Sequence, residues 1–293
     1  MSPTIEPRGS EQVLVLDGRR IVYDVIGEGQ PVFFFHGSPA SRLEARLVAV
    51  AAAATGVQLI APDRPGIGGS DPQSGRCLMD WPPIVEAISR ELAIDRFSVI
   101  GYSTGALYAY ASAHELSDRI FSATVVSGTG MPDLMRGWNA GWLTLLASRT
   151  IPGLGNALFG SVAARARRDP TGFQIPGVAP VDRLALSARA TRKLFMQSFS
   201  EAFRRGTEGV VEDQVLITRP WGFDPSSIRV PIMLWHGSAD RTVPAKVAMA
   251  MANRIPGGIL REVEGEGHVS LLANRAGEIF AGLIPRPASS ASV

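Results

Sequence analysis

The segment Gly101-Tyr102-Ser103-Thr104-Gly105 follows the apolar run Phe97-Ser98-Val99-Ile100 and precedes a helix-like stretch at 106–114. A serine placed this way sits on a sharp strand-to-helix turn that lifts its hydroxyl clear of the backbone. Glycine on either side removes the Cβ that would collide with neighbouring chain. Such a hydroxyl could attack an electrophilic carbon. At neutral pH it is a poor nucleophile, so it needs a base within hydrogen-bond reach and an acid that orients the base.

The chain has four histidines, which can be weighed in turn. His114 falls within the helix after the serine, where packing or surface exposure is its expected role. His36 follows the apolar run 31–35, and His236 ends the run 231–235. His268 stands in Gly265-Glu266-Gly267-His268, a flexible loop between the last strand and the last helix. A loop of that kind can carry an imidazole to a serine above the sheet centre. Asp240, directly after the buried run ending at Trp235, is the first candidate for the acid. Asp133 is the second and Asp224 a distant third, since aspartates in such turns often serve only as turn formers or caps. The order serine, aspartate, histidine is the one serine hydrolases of this topology show.

A tetrahedral intermediate also needs two donors aimed at its oxyanion. The backbone N–H of Thr104 qualifies, because it opens a helix whose dipole favours negative charge there. The second donor should come from His36-Gly37-Ser38-Pro39, with the N–H of Ser38 as candidate; a plain turn is the alternative for His36-Gly37. The sequence shows no metal constellation, neither HExxH nor a cysteine pair, and no glycine-rich phosphate cradle. No cofactor is needed.

The elements that must position these groups alternate. Strands are predicted at 12–16 and 20–25, joined by the hairpin signal Asp17-Gly18, then at 31–35, 57–61, 97–101 and 123–127. Helices are predicted at 42–54, 79–92 and 106–116. The continuous apolar run 31–35 reads as a strand buried on both faces. The alternation stops between 129 and 225, where helices are predicted at 133–149, 156–168, 180–205 and 210–216. It resumes with strand 231–235, helix 244–254, strand 259–263 and helix 269–283. Strand-helix alternation implies crossovers and a mostly parallel sheet with an antiparallel start.

Composition bounds the remaining choices. The 293 residues suffice for one large α/β domain, and 45% of them are hydrophobic. The net charge is only +2, and the densest basic cluster, Arg165, Arg167 and Arg168, reads as a solvated helix face. No nucleic-acid footprint is therefore expected. A single cysteine, Cys77, forbids an internal disulfide and fits a reducing compartment. The polar stretch 1–10 lacks the apolar core of a secretory signal, and the alanine-rich run 47–60 is too weak for a membrane span. A soluble cytoplasmic protein without membrane partners is expected, as monomer or homodimer.

Taken together, Phe35-His36-Gly37-Ser38-Pro39, Asp63-Arg64-Pro65-Gly66-Ile67-Gly68-Gly69-Ser70, Gly101-Tyr102-Ser103-Thr104-Gly105, His236-Gly237-Ser238-Ala239-Asp240 and Gly267-His268 resemble the α/β-hydrolase superfamily. The likeness is to its capped esterases, haloperoxidase-like enzymes and C–C bond hydrolases, and it runs from about residue 20 to 283. The resemblance implies a sheet of about eight strands, with a core of 1–128 and 229–284 and a helical cap at 129–228; the Pro/Ala/Ser-rich tail 285–293 is expected to be disordered. It implies that the five segments supply the oxyanion loop, a structural loop beside the site, nucleophile, acid and base. Haloalkane dehalogenases and epoxide hydrolases of this fold carry aspartate where this chain has Ser103, which disfavours both chemistries. The aminopeptidase branch usually has tryptophan where this chain has Thr104.

The expected substrate is a small hydrophobic ester or lactone selected by the cap, where Trp138, Trp142, Leu145, Leu146 and Phe159 supply apolar surface. Trp138, Trp142, Met131 and Val269 are the candidate pocket liners. C–C hydrolysis, or acyl transfer or cyclisation on the same triad, is one rival reading. A ligand-binding receptor that retains the fold is the other.

Overall fold

The computed structural model describes residues 9–136, 140–151, 153–169 and 178–283. Eight strands, β1 (Ser10–Leu16), β2 (Arg19–Ile26), β3 (Gln30–Phe35), β4 (Val57–Pro62), β5 (Phe97–Tyr102), β6 (Ile120–Val126), β7 (Ile232–Gly237) and β8 (Ile259–Val263), form one sheet in the order β1-β2-β4-β3-β5-β6-β7-β8. The first two join antiparallel through Asp17 and Gly18, whose φ values of 50° and 75° are those of a two-residue hairpin turn. From β3 to β8 all pairings are parallel. The four residues Val32 to Phe35 and all of β5 are buried, as strands covered by helices on both faces must be.

Eleven α-helices are described. Around the sheet lie α1 (Ala49–Ala54), α2 (Trp81–Glu91) and α3 (Gly105–Glu115). Between β6 and β7 come α4 (Pro132–Met135), α5 (Ala140–Ser148), α6 (Leu154–Arg168), α7 (Pro180–Ala185), α8 (Arg189–Ala202) and α9 (Glu208–Leu216). The last two are α10 (Ala245–Arg254) and α11 (His268–Leu283). Residues of α2, α3 and α10 build the core on one sheet face, around Phe33, Phe35, Phe97 and Trp81. Residues of α1 and α11 build it on the other, around Phe34, Ile100 and Trp235. Each fully buried phenylalanine contributes about 1.5–3 kcal/mol relative to leaving it in water. Among the described residues, no helix is long and apolar enough to cross a membrane.

Boundaries differ from the sequence reading at particular places. The predicted helix 42–54 is a 3₁₀ segment, Arg42–Leu47, followed by α1. The tighter segment turns Arg42 and Glu44 inward, where Arg42 binds Asp24 and Asp63 at 2.9 and 2.7 Å. The predicted 180–205 helix breaks before Arg189, where Ala188 is extended. Helix 133–149 resolves into α4 and α5, with 137–139 outside the described residues. Strand 123–127 begins earlier, at Ile120, and β7 continues through His236 to Gly237. The tail 285–293 lies outside the described residues.

The order of strands locates the site. The chain passes from β3 outward to β4 and then returns to place β5 on the other side of β3. Crossovers therefore leave β3 and β5 in opposite directions, and a crevice opens at their carboxyl ends. The loop after β3 and the turn after β5 face each other there. Their approach requires Gly105, because a Cβ on it would stand 2.0 Å from the carbonyl oxygen of Phe35. Gly105→Ala is expected to destabilise the fold by about 1–3 kcal/mol or more. Urea unfolding should show a lower midpoint at unchanged slope; an unchanged midpoint would contradict the close approach.

Candidate active site

Ser103 has φ 53°, in the left-handed region that non-glycine residues rarely occupy. Hydrogen bonds over-determine this conformation. The Ser103 N–H donates to Val126 O at 3.0 Å, and its carbonyl accepts from Ala106 and Thr129 at 3.1 Å each. The strained residue thus stands between the end of β5 and the first turn of α3, with its hydroxyl outside both.

His268 is the first residue of α11 and is 6% exposed. Its Nε2 lies 3.0 Å from Ser103 Oγ, and its Nδ1 lies 2.8 Å from Asp240 Oδ2. With Nδ1 donating to the carboxylate, Nε2 is left as the acceptor facing the hydroxyl. Asp240 Oδ1 accepts from the N–H groups of Thr242 and Val243 at 2.7 and 2.9 Å, which locks the carboxylate into the turn after β7. Burial alone would raise the Asp240 carboxyl. The charge and hydrogen bond of His268, with the Val243 N–H and His236, hold it below the usual carboxylate value. Burial alone would likewise lower His268, but Asp240, Asp182 and Glu44 hold it above the ordinary histidine value.

The other ionisable groups weighed in the sequence lie elsewhere. Asp133 pairs with Arg254 at 2.6 Å on the exterior, and Asp224 caps the turn at Ser226. His114 stacks on Phe223 and meets Ser227 Oγ. His36 is fully buried, with Nδ1 on Gly37 O at 2.8 Å, and burial pushes it well below its usual value. His236 Nε2 binds Val243 O at 2.9 Å, 3.6 Å from Asp240 Oδ2, and burial lowers it as well.

The loop after β3 is held from outside. Arg64 donates to His36 O and Gly37 O at 2.5 and 2.7 Å, and Gln214 donates to Ser38 O at 3.1 Å. Arg64 is itself clamped by Asp213 of α9, which also binds Arg76 at 2.8 Å and Tyr108 at 2.6 Å. These two arginines hold the Asp213 carboxyl well below its usual value against the burial that would raise it. The Gly37 N–H is taken by Glu44 Oε2 at 2.6 Å. Among the hydrogen bonds of the described residues, the N–H groups of Ser38 and Thr104 have no acceptor.

Of the residues expected to line a pocket, Val269 is 5% exposed and donates its N–H to Asp182. Met131 turns its sulfur to Arg254 Nη1 at 3.1 Å and borders a cleft with Phe223 and Asp224. Trp138 and the side chain of Trp142 lie outside the described residues. Leu145 is buried, Leu146 is exposed, and Phe159 packs against the cluster containing Phe199 and Phe203.

A family model described as alpha/beta hydrolase matches residues 32–282. The chain belongs to that family. Among curated proteins, a soluble epoxide hydrolase from Corynebacterium sp. (strain C12) is 31% identical over 118 residues, which is 39% of this chain and 41% of that protein. A pimeloyl-[acyl-carrier protein] methyl ester esterase from Aromatoleum aromaticum is 28% identical over 221 residues, 75% of this chain and 83% of that protein. The match thus spans under half of the epoxide hydrolase's length and most of the esterase's. Among solved structures, a bromoperoxidase from Bacillus anthracis aligns with TM-score 0.72 at 19% identity, covering 94% of this hydrolase-fold chain and 97% of its own.

Three residues of this family member escape sequence reasoning. Glu44 sits at the last place of Ser41-Arg42-Leu43-Glu44, which reads as a capping box. Ser41 does cap the 3₁₀ segment, but the glutamate turns to Gly37 instead. Burial pushes its carboxyl up to about 7 despite that hydrogen bond and the nearby Arg64 and His268. Asp182 and Asp213 each look like ordinary helix acids. Their buried partners are 86 and 149 residues away, and no local pattern announces them.

The three buried imidazoles should separate on titration. Followed by the ring Cε1–H resonances, His268 is expected to titrate above 6.5, and His36 and His236 below it. A His268 midpoint below 6.5 would contradict the arrangement of carboxylates around it.

Proposed function

We propose that this protein is a serine hydrolase that cleaves a small hydrophobic carboxylic ester or lactone through an acyl-enzyme on Ser103. The observation that carries the reading is the hydrogen-bonded row from Ser103 Oγ to His268 to Asp240. As Oγ bonds the carbonyl carbon, His268 Nε2 takes its proton. Asp240, accepting from Nδ1–H, holds the ring and stabilises the imidazolium. The carbonyl oxygen gains charge and is received by the N–H groups of Ser38 and Thr104. Removing one such donor typically costs about 10²–10³ in kcat. The tetrahedral adduct collapses as Nε2 returns the proton to the departing alkoxide. Water then gives a proton to Nε2 as it attacks the acyl carbon, and the second adduct collapses as Nε2 returns that proton to Ser103 Oγ, releasing the carboxylic acid.

Family membership and the relatives support hydrolysis, and the relative matched over most of its length is named as a methyl ester esterase. The shorter match, to an epoxide hydrolase, is weighed against the residue at the turn. A carboxylate that opens an epoxide forms an ester, which water can cleave at its carbonyl. A serine alkylated by an epoxide forms an ether, which offers water no carbonyl. Ser103 therefore favours acyl chemistry. Glu44, Asp182 and Asp240 cluster about the base, so a neutral substrate suits the site better than an anion at the reacting centre. We assign substrate selection to residues 129–228 acting as a cap, with Val269, Trp138 and Trp142 as the first liners to vary. Cys77 as the only cysteine supports a cytoplasmic setting.

Ser103→Ala should abolish turnover of p-nitrophenyl esters, a loss on the order of 10³-fold or more, while circular dichroism stays native. Purified variant that keeps most of the activity would overturn the assignment. An acyl-chain-length series on the wild type should peak at short to medium chains; a rate that rises steadily to the longest chains would contradict a small substrate.

A further inference from the structure

Asp182 is a fully buried aspartate on α7, in the stretch between β6 and β7, and none of the steps above uses it. Its Oδ2 accepts from the His268 N–H at 3.0 Å, and its Oδ1 accepts from Val269 and Ser270 N–H at 2.8 and 2.9 Å. These are the first three amides of α11, which have no partner inside their own helix. Helices normally satisfy such amides with a side chain just before their first turn. Here Gly267 occupies that position and has none. A Cβ on Gly267 would stand 2.4 Å from Asp182 Oδ1, so the missing side chain is what admits the carboxylate. An anion there is also favoured by the positive end of a sixteen-residue helix.

The opposite side of His268 is fastened to the core. Its carbonyl accepts from Ser127 Oγ at 3.2 Å and from Tyr102 Oη at 3.3 Å. The residue is thus suspended between core hydroxyls on β5 and after β6, and a carboxylate on α7. Its ring faces Ser103 and Asp240, with Tyr102 at 5.4 Å between ring centroids and the charges of Glu44, His236 and Asp182 around it.

We propose that Asp182 is a positioning residue for the base, fixing the backbone of His268 so that the imidazole meets Ser103 and Asp240 only while α7 is seated against α11. The proposal rests on the reading of His268 as the base.

Two measurements test this. In wild-type protein, hydrogen exchange read by mass spectrometry should show peptides at 266–272 and 179–187 opening together, with equal protection factors below those of β5. Protection of 266–272 that persists while 179–187 exchanges would overturn the coupling. Second, Asp182→Asn and Asp182→Ser both remove the charge; the amide keeps one accepting oxygen, and the smaller serine avoids turning an NH₂ group toward the three N–H donors in case the amide variant folds poorly. The His268 resonance, assigned by its loss in His268→Gln, should titrate at lower pH in either variant. The acid limb of kcat/KM should move down with it, and kcat should fall about tenfold with KM within about twofold. A lower melting temperature with an unmoved His268 titration and unmoved pH profile would reduce Asp182 to a structural cap. If the serine-hydrolase reading itself is wrong, wild-type ester turnover is absent, yet the titration and the exchange still report whether Asp182 holds His268.

Discussion

The hydrogen bond between Asp240 Oδ2 and His268 Nδ1 is the constraint on which the site depends. An imidazole has two equivalent-looking nitrogens, and only the one left without a proton can accept from Ser103. By accepting the hydrogen bond from Nδ1–H, the carboxylate decides both the tautomer and the direction in which Nε2 points. The geometry is demanding because the three residues lie at three separate strand-to-helix connections, 137 and 28 positions apart along the chain. Only the parallel sheet brings those connections to one edge. The strain at Ser103 is tolerable for the same reason: β6 and α3 fix the turn at both ends, and the left-handed conformation, which costs on the order of 1–3 kcal/mol, is outweighed by that packing.

Around this row the helices between β6 and β7 contribute more than cover. Asp213 of α9 clamps Arg64, and Arg64 in turn holds the carbonyls of His36 and Gly37. Those two contacts orient the loop that ends in Ser38. Asp182 of α7 grips the opposite part of the site, the backbone of His268. Two buried carboxylates from the same stretch therefore reach the loop that offers an N–H and the loop that offers an imidazole. Each is expensive to bury and is stable only because arginines or several backbone N–H groups meet it. A change at either position is felt in the site without touching substrate.

Much of this was readable from sequence because the signals are local. Ser103 is betrayed by flanking glycines, each needed where backbones approach within contact distance. Asp240 is betrayed by a turn that follows an apolar run, and His268 by its place in a glycine-rich stretch between the last strand and the last helix. The eight-strand alternation follows from runs such as Val32 to Phe35, which have no polar face to expose. Element edges were less legible. The 42–54 helix pattern hides a change from 3₁₀ to α at Val48, since the inward pull on Arg42 comes from Asp24 and Asp63 and not from helical propensity. The roles of Glu44, Asp182 and Asp213 were hidden for a related reason. A glutamate in a capping box and aspartates in short helices look the same whether they face water or a buried amide. Only the tertiary fold distinguishes them.

The central claim is that Asp240, through His268, makes the Ser103 hydroxyl a nucleophile. The most direct measurement is the rate at which a fluorophosphonate modifies the protein, with the adduct located by peptide mass spectrometry. A single adduct on Ser103 is expected, formed more slowly by about 10³–10⁴-fold in Asp240→Asn, where the wrong tautomer faces the serine. An adduct at another residue, or an equal rate in that variant, would contradict the account.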